Sequence, residues 1–179
     1  MVDFLCGLGA AAGEGRQRRI RMAMLEKLLE FLRQNQVGFT HHVHPTAFTA
    51  REIAALEHVP PHEFAKTVVY HGDAGYGMAV MPADRKLDLQ ELRVLLGWNR
   101  VRLATESELA SLFCECDLGA MPPFGNLCNM PVYVDSSLGS EEVIAFNAGT
   151  HRDVILLKYK DWERLVSPIV MPLARGVAA

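Results

Sequence analysis

The sequence predicts an α+β protein built on a mixed, largely antiparallel β-sheet with helices packed outside it. Three observations carry this reading. Segments rich in Val, Ile, Tyr and Phe are interspersed with helical segments, but never in the regular order of βαβ units. The stretch "TVVYHGDAGYGMAV" joins two such segments through a glycine-containing turn, which marks a hairpin. Half of the 179 residues are hydrophobic and 22% are charged, enough for one core of ordinary size.

The elements follow in order. Residues 1–16 read as a flexible leader. Its "GLGAAAG" lacks the preceding strand of a dinucleotide loop, and its charges follow rather than precede the apolar part, the wrong order for a secretory signal. From Gln17 to about Gln34, Ile20, Met24, Leu28 and Phe31 form a helical stripe. "VGFTHHVHP" reads as a strand ending at Pro45. Thr49 with Glu52 makes a capping box that opens a second helix. The hairpin follows, with its first strand beginning near Glu63. Leu87 to Leu96 is helical, "RVRLA" is a short strand, and Thr105 with Glu108 caps another helix. "CDLGAMPPFGN" has no period. "PVYVD", "EEVIAFN" and "HRDVILL" read as strands and "YKDWERL" as a last helix. Residues 17–167 are read as a single domain, and 168–179 as a tail without a clear pattern.

A net charge of −3 excludes a generally basic, nucleic-acid-coating protein. It leaves room for a local patch, for which Arg16, Arg18, Arg19, Arg21, Arg85, Lys86, Arg100 and Arg102 are candidates. No apolar run approaches the roughly 20 residues of a membrane span. Cys6, Cys114, Cys116 and Cys128 show no paired CxxC spacing and read as reduced thiols of a cytoplasmic protein.

Lys66 is out of keeping with its strand, because alternation places it on one face with Phe64, Val68 and Tyr70. Either its stem lies on apolar surface with the ammonium in water, or it stands at the mouth of an apolar pocket. The loop "GAMPPFG", Gly119 to Gly125, holds two prolines without N–H groups between flanking glycines. The amides of Ala120, Met121, Phe124 and Gly125 are then available to a ligand, unless the loop is a connector only. "NAGTHRD" offers Asn147, Gly149 and His151, the histidine being a catalyst or an ordinary edge residue. His42 and His44 share a strand face, but no third ligand stands at a known spacing, so no metal and no cofactor is expected. There is no GxSxG elbow or other nucleophile–base signature.

Taken together, "HPTAFTAREIAALEHVPPHEFAKTVVY", "GAMPPFGN" and "IAFNAGTHRD" resemble the YbaK/prolyl-tRNA-synthetase-associated domain family over roughly Leu25 to Val166. That family comprises free-standing aminoacyl-tRNA deacylases and the editing insertion domain of bacterial prolyl-tRNA synthetases. The resemblance implies a sheet curled around a pocket and hydrolysis of the ester of a mischarged aminoacyl-tRNA. The amino acid would be small, such as alanine or cysteine, and the tRNA that for proline. The family lysine falls on Lys66, its GxxxP loop on Gly119 to Pro123, and its glycine–histidine pair on Gly149 and His151. Lys66, Gly119 and His151 are thereby implied as catalytic. His44, Thr46, Ala120, Met121, Pro122, Pro123, Phe124, Gly125, Asn147 and Gly149 are implied as substrate-binding. Family mechanisms use the substrate's own 2′-hydroxyl or thiol, so no protein nucleophile is required. The implied partners are the tRNA acceptor end and an aminoacyl-tRNA synthetase. A non-catalytic module that binds aminoacyl-tRNA or a synthetase is the alternative, and a nucleotide-phosphate binder of the same fold a third reading.

Overall fold

The computed structural model describes residues 13–176, with side chains from residue 23 onward. The first helix, α1 (Gly13–Gln34), begins before the expected Gln17, and strand β1 (Phe39–Val43) follows it. Helix α2 (Ala50–Leu56) opens at the predicted capping box. The Thr49 side chain accepts from the Glu52 amide, and Glu52 accepts from the Thr49 amide. Strands β2 (Ala65–Gly72) and β3 (Gly75–Pro82) form the expected hairpin, paired from Ala65–Pro82 to Gly72–Gly75. Then come β4 (Arg85–Leu87), α3 (Leu89–Leu95), β5 (Val101–Leu103) and α4 (Glu106–Leu112), the last with the predicted Thr105–Glu108 box. The chain closes with β6 (Val132–Asp135), β7 (Val143–Asn147), β8 (Asp153–Lys158), α5 (Tyr159–Val166), β9 (Ile169–Met171) and β10 (Ala174–Gly176).

The strands form a mixed, mainly antiparallel system. One sheet has the order β5-β2-β3-β6-β9, with β3–β6 and β6–β9 parallel, and another the antiparallel order β1-β8-β7. A parallel bridge between Phe64 and Ala145 links the two, so the chain curls from one sheet into the other at the start of the lysine strand.

Three apolar clusters fill the layers. Leu25, Leu28 and Leu32 of α1 meet Val69, Met78, Val80, Phe146 and Trp162. Ile53 and Ala54 of α2 cover Phe64, Ala83, Ala145 and Val154. Leu92 of α3 packs with Tyr70, Met81, Tyr133 and Leu173 on the far side of the larger sheet.

The segment beyond Ser167, expected as an unpatterned tail, adds two strands. β9 extends the larger sheet beside β6, and β10 pairs with β4, a strand the sequence pattern did not reveal. The fully buried Leu173 and the Asp135 carboxylate, which accepts from the Leu173 and Ala174 amides at 3.0 and 2.8 Å, hold this segment down. Three-residue strands carry no periodicity to read.

Candidate functional site

The end of β7 organises the site. Asn147 shares a face with Ala145, towards α2, because strand side chains alternate. Gly149, two residues on, donates its amide to the Ala120 carbonyl at 2.9 Å and accepts from the Asp117 amide at 2.8 Å. The GxxxP loop is thereby stitched to the turn that follows β7. That turn is held internally: the Thr150 hydroxyl donates to Asp153, and the Arg152 and Asp153 amides donate to the Thr150 oxygen, both at 3.1 Å. Asp153 in turn meets His41 at 2.7 Å.

His151 lies on this turn. Its amide donates to the Asp117 carboxylate at 3.2 Å, and its Nε2–H donates to the Leu118 carbonyl at 2.8 Å. Its ring stands 5.0 Å from that of Phe48, a residue 69% exposed just ahead of α2. Gly119, exposed and with φ of +90°, lies beside it, since a Cβ there would come 3.7 Å from His151 Cε1. Space is available at Gly119; the backbone conformation is what favours glycine.

His44 continues the β1 ladder past its last residue, with its amide donating to the Arg152 carbonyl at 2.9 Å. It shares a face with His42, whose Nδ1 meets Glu57 at the end of α2 at 2.5 Å. His44 is buried, and its Nδ1–H donates to the Pro45 carbonyl at 2.6 Å. The two histidines thus engage different partners and form no common ligand pair. Thr46 is exposed on the loop between them and α2.

Lys66 is half-buried at the start of β2. Phe64 bridges Ala145, so Lys66 and Asn147 each lie two residues further along parallel chains, on the same side. Its ammonium donates to the Arg85 carbonyl and to that of Ala83, the latter at 3.3 Å. Burial holds its pKa below the ordinary lysine value, the cations Arg51 and Lys86 push the same way, and Asp84 opposes them. The ammonium is therefore neither snorkelling freely nor unpartnered. It is tied to the turn after β3 in a cationic neighbourhood formed by α2 and β4.

The GxxxP loop departs from the sequence reading. Two of the four amides expected to face a ligand are already engaged: Ala120 donates to Asp117 at 3.0 Å and Phe124 to Pro122 at 2.8 Å. Phe124 is fully buried against Phe31 and Phe146, and Met121 joins the same cluster. Trp162 Nε1 donates to the Pro123 carbonyl at 2.9 Å, and Pro122 is buried beside it. A Cβ on Gly125 would stand 2.5 Å from the Met130 carbonyl oxygen, so that glycine serves close packing within the protein. The structure gathers His44, Asn147, Gly149, Gly119, Ala120 and His151 around the turn after β7, leaves Lys66 with the turn between β3 and β4, and turns Met121, Phe124 and Gly125 to the core.

The patch residues are also sorted. Arg102 is engaged by Glu108 through two hydrogen bonds of 2.7 Å, and Arg85 lies 3.9 Å from Asp135. Lys86 and Arg100 stay exposed, joined by Arg51, which sequence reasoning missed because it sits on the exposed face of a short helix. The side chains of Arg16, Arg18, Arg19 and Arg21 lie outside the described ones. Cys116 and Cys128 have pKa values raised first by burial, which makes them poor nucleophiles. No helix among the described residues is long and apolar enough to cross a membrane.

The fold is a curled mixed sheet that carries a half-buried lysine, a glycine–proline loop and a glycine–histidine turn. The comparisons with known proteins supply its class. Residues 44–165 match the model of the aminoacyl-tRNA editing domain, and the chain belongs to that family. It is 26% identical over 155 residues to the multifunctional Ser/Thr-tRNA deacylase ProXp-y of Escherichia coli K12, spanning 84% of this chain and 92% of the relative. It is 23% identical over 152 residues to the prolyl-tRNA editing protein ProX of Acetoanaerobium sticklandii, spanning 82% and 90%. A solved structure described as a candidate trans-editing enzyme for prolyl-tRNA synthetase shares the fold. Its TM-score is 0.75 at 22% identity, with 86% of this chain and 98% of that one covered.

Proposed function

We propose that this chain is a trans-editing hydrolase that cleaves the ester joining a wrongly attached small amino acid to the 3′ end of a tRNA. The observation that carries this is the half-buried Lys66 ammonium, held by the Ala83 and Arg85 carbonyls at the start of the strand whose preceding residue, Phe64, bridges the two sheets. In the reaction, water adds to the ester carbonyl, the bond to the ribose oxygen breaks, and that oxygen takes the proton. An ester already has a good leaving group, so placement and charge stabilisation suffice and no protein nucleophile is needed.

Lys66 keeps one N–H beyond those given to Ala83 and Arg85, and it offsets negative charge at the ester or the terminal phosphate. His151, braced by Leu118, orients the substrate or a water, and Phe48 presents an exposed ring on which the terminal base stacks. Gly119 lets the loop backbone pass close to the aminoacyl group. Arg51, Lys86 and Arg100 supply the cations that an acidic chain needs to hold an acceptor stem, and the work is done in the cytoplasm.

Alanine and cysteine on the proline tRNA are the amino acids the family resemblance offers; serine and threonine are those named for the E. coli relative. The test is release of free amino acid from a panel of mischarged tRNAs by the purified chain. Turnover of at least one supports the reading. A stable complex with tRNA and no turnover replaces it with a binding module.

A further inference from the structure

The GxxxP loop opens with a turn whose type bears on His151. The Ala120 amide donates to the Asp117 carbonyl at 3.0 Å, closing residues 117–120 into a four-residue turn. Its third residue, Gly119, has φ of +90°, while Leu118 before it keeps a negative φ. That combination is a type II turn, the form that asks for glycine, or failing that asparagine, in third place. Relative to the commoner type I turn, ψ of the second residue goes from about −30° to about +120°, which turns the central peptide over. The carbonyl on that peptide belongs to Leu118, and it accepts from His151 Nε2 at 2.8 Å.

The direction of this carbonyl therefore depends on Gly119. Crowding does not require glycine there, because a Cβ would come no closer than 3.7 Å, to His151 Cε1. The sign of φ does, and relaxing the turn to type I would swing the Leu118 oxygen away from the ring. A carbonyl can only accept, so it fixes the His151 proton on Nε2 and leaves Nδ1 as the acceptor of the neutral ring. That Nδ1 is buried and has no hydrogen-bond partner among the described residues. The backbone of His151 is held separately, by the Asp117 carboxylate on its amide and by the Asp117–Gly149 and Gly149–Ala120 bonds beside it. The Leu118 carbonyl is thus the contact that sets the ring.

We propose that Gly119 is a positioning residue that acts through His151: its positive φ aims the Leu118 carbonyl at Nε2 and so holds the imidazole in one orientation and one tautomer. This rests on the editing reading above and deepens it. Gly119 then matters for the way a peptide faces, beyond the room it leaves for the aminoacyl group.

The first experiment needs no substrate. Nitrogen NMR of the isotope-labelled histidine rings is recorded on the full chain at about pH 8, where an ordinary imidazole is neutral. The His151 signals are assigned by their loss in His151→Ala. Wild type is expected to carry the proton on Nε2, Gly119→Ala to give mixed tautomers, and Gly119→Asn to stay close to wild type. A wild-type ring protonated on Nδ1, or a Gly119→Ala ring unchanged from wild type, overturns the proposal.

The second is a double-mutant cycle on single-turnover deacylation, using whichever of seryl-, threonyl-, alanyl- and cysteinyl-tRNA wild type discharges fastest. Gly119→Ala is expected to slow the chemical step by about tenfold or more with little change in apparent substrate affinity, and Gly119→Asn to recover much of that loss. In the His151→Ala background the same Gly119→Ala change should cost less than about twofold, the spread within which independent effects add. A full Gly119→Ala loss in that background overturns the proposal, since Gly119 would then act on the substrate without His151. If wild type discharges none of the four, the editing reading falls, and the NMR comparison alone decides whether Gly119 positions the ring.

Discussion

The ammonium of Lys66 donates to the carbonyl oxygen of Ala83 at 3.3 Å, across the turn that joins β3 to β4. This contact, with that to the Arg85 carbonyl, fastens the lysine to the protein's own backbone. A lysine held this way is preorganised, so little further rotamer entropy would be lost on meeting a ligand.

Phe48 is exposed and touches the His151 ring, so its loss should affect ligand more than fold. Phe48→Ala is expected to weaken binding of a tRNA acceptor end by about 1–3 kcal/mol, the worth of one base–aromatic stack. Thermal stability should change by less than about 0.5 kcal/mol. Titration of a labelled acceptor-stem RNA checks the first and a melting curve the second. Unaltered affinity would remove Phe48 from the interface.

The two loop glycines should fail differently. At Gly119, φ is +90° and the nearest obstacle to a Cβ is 3.7 Å away, so Gly119→Ala costs only backbone strain, about 1–3 kcal/mol. At Gly125 a Cβ would meet the Met130 backbone oxygen at 2.5 Å. Gly125→Ala should therefore lower the melting temperature more than Gly119→Ala, while Gly119→Ala slows deacylation more relative to its stability loss. The reverse order in both measurements would contradict this division.

Electrostatic docking predicts a salt signature. Arg51 and Lys86 are exposed beside the half-buried Lys66. If each meets a phosphate, Arg51→Gln and Lys86→Gln should each reduce the slope of log affinity against log salt by about 1. Arg102→Gln should leave that slope nearly alone, because Arg102 is occupied by Glu108.

Acid stability has a named contributor. The Arg102 guanidinium, then the Thr105 amide and the Tyr76 hydroxyl, hold the Glu108 carboxyl well below its ordinary value of 4.5. A carboxyl depressed in the folded state adds stability that is present above its unfolded value and is lost as pH falls through the folded one. Wild type should therefore lose more stability than Glu108→Gln as pH drops from about 6 to about 3. Melting curves running parallel over that range would show that the network does not couple to folding.

Much of this was legible in the residues. The capping boxes at Thr49 and Thr105, the hairpin around Gly72–Gly75 and the strand at Val143–Asn147 follow from local chemistry, and the structure has them there. β4 and β9 were not legible, because they are too short to show a period and are ordered by distant partners such as Asp135. At the site, alternation placed Lys66 correctly on its face, but its carbonyl partners come from a turn 17 and 19 residues away. In the loop, the structure divides residues that the sequence reading had grouped. The glycine at 119 opens the backbone near His151, whereas Phe124 and Gly125 were claimed by the core, a choice that depends on α1 and α5 and not on the loop. Nothing local in the sequence distinguishes the acceptor nitrogen of His151 from that of any other histidine; only burial and the Leu118 carbonyl do so.

The central claim is that this chain hydrolyses mischarged tRNA through a site that needs Lys66. The most direct test is a single-turnover deacylation time course on seryl-, threonyl-, alanyl- and cysteinyl-tRNA, with wild type beside Lys66→Ala and both proteins shown to be folded. The account predicts that wild type discharges at least one substrate and that the variant does so slower by on the order of 100-fold, the loss typical of removing one charge-stabilising donor. Equal rates for the two proteins, or no discharge of any substrate by wild type, would contradict it.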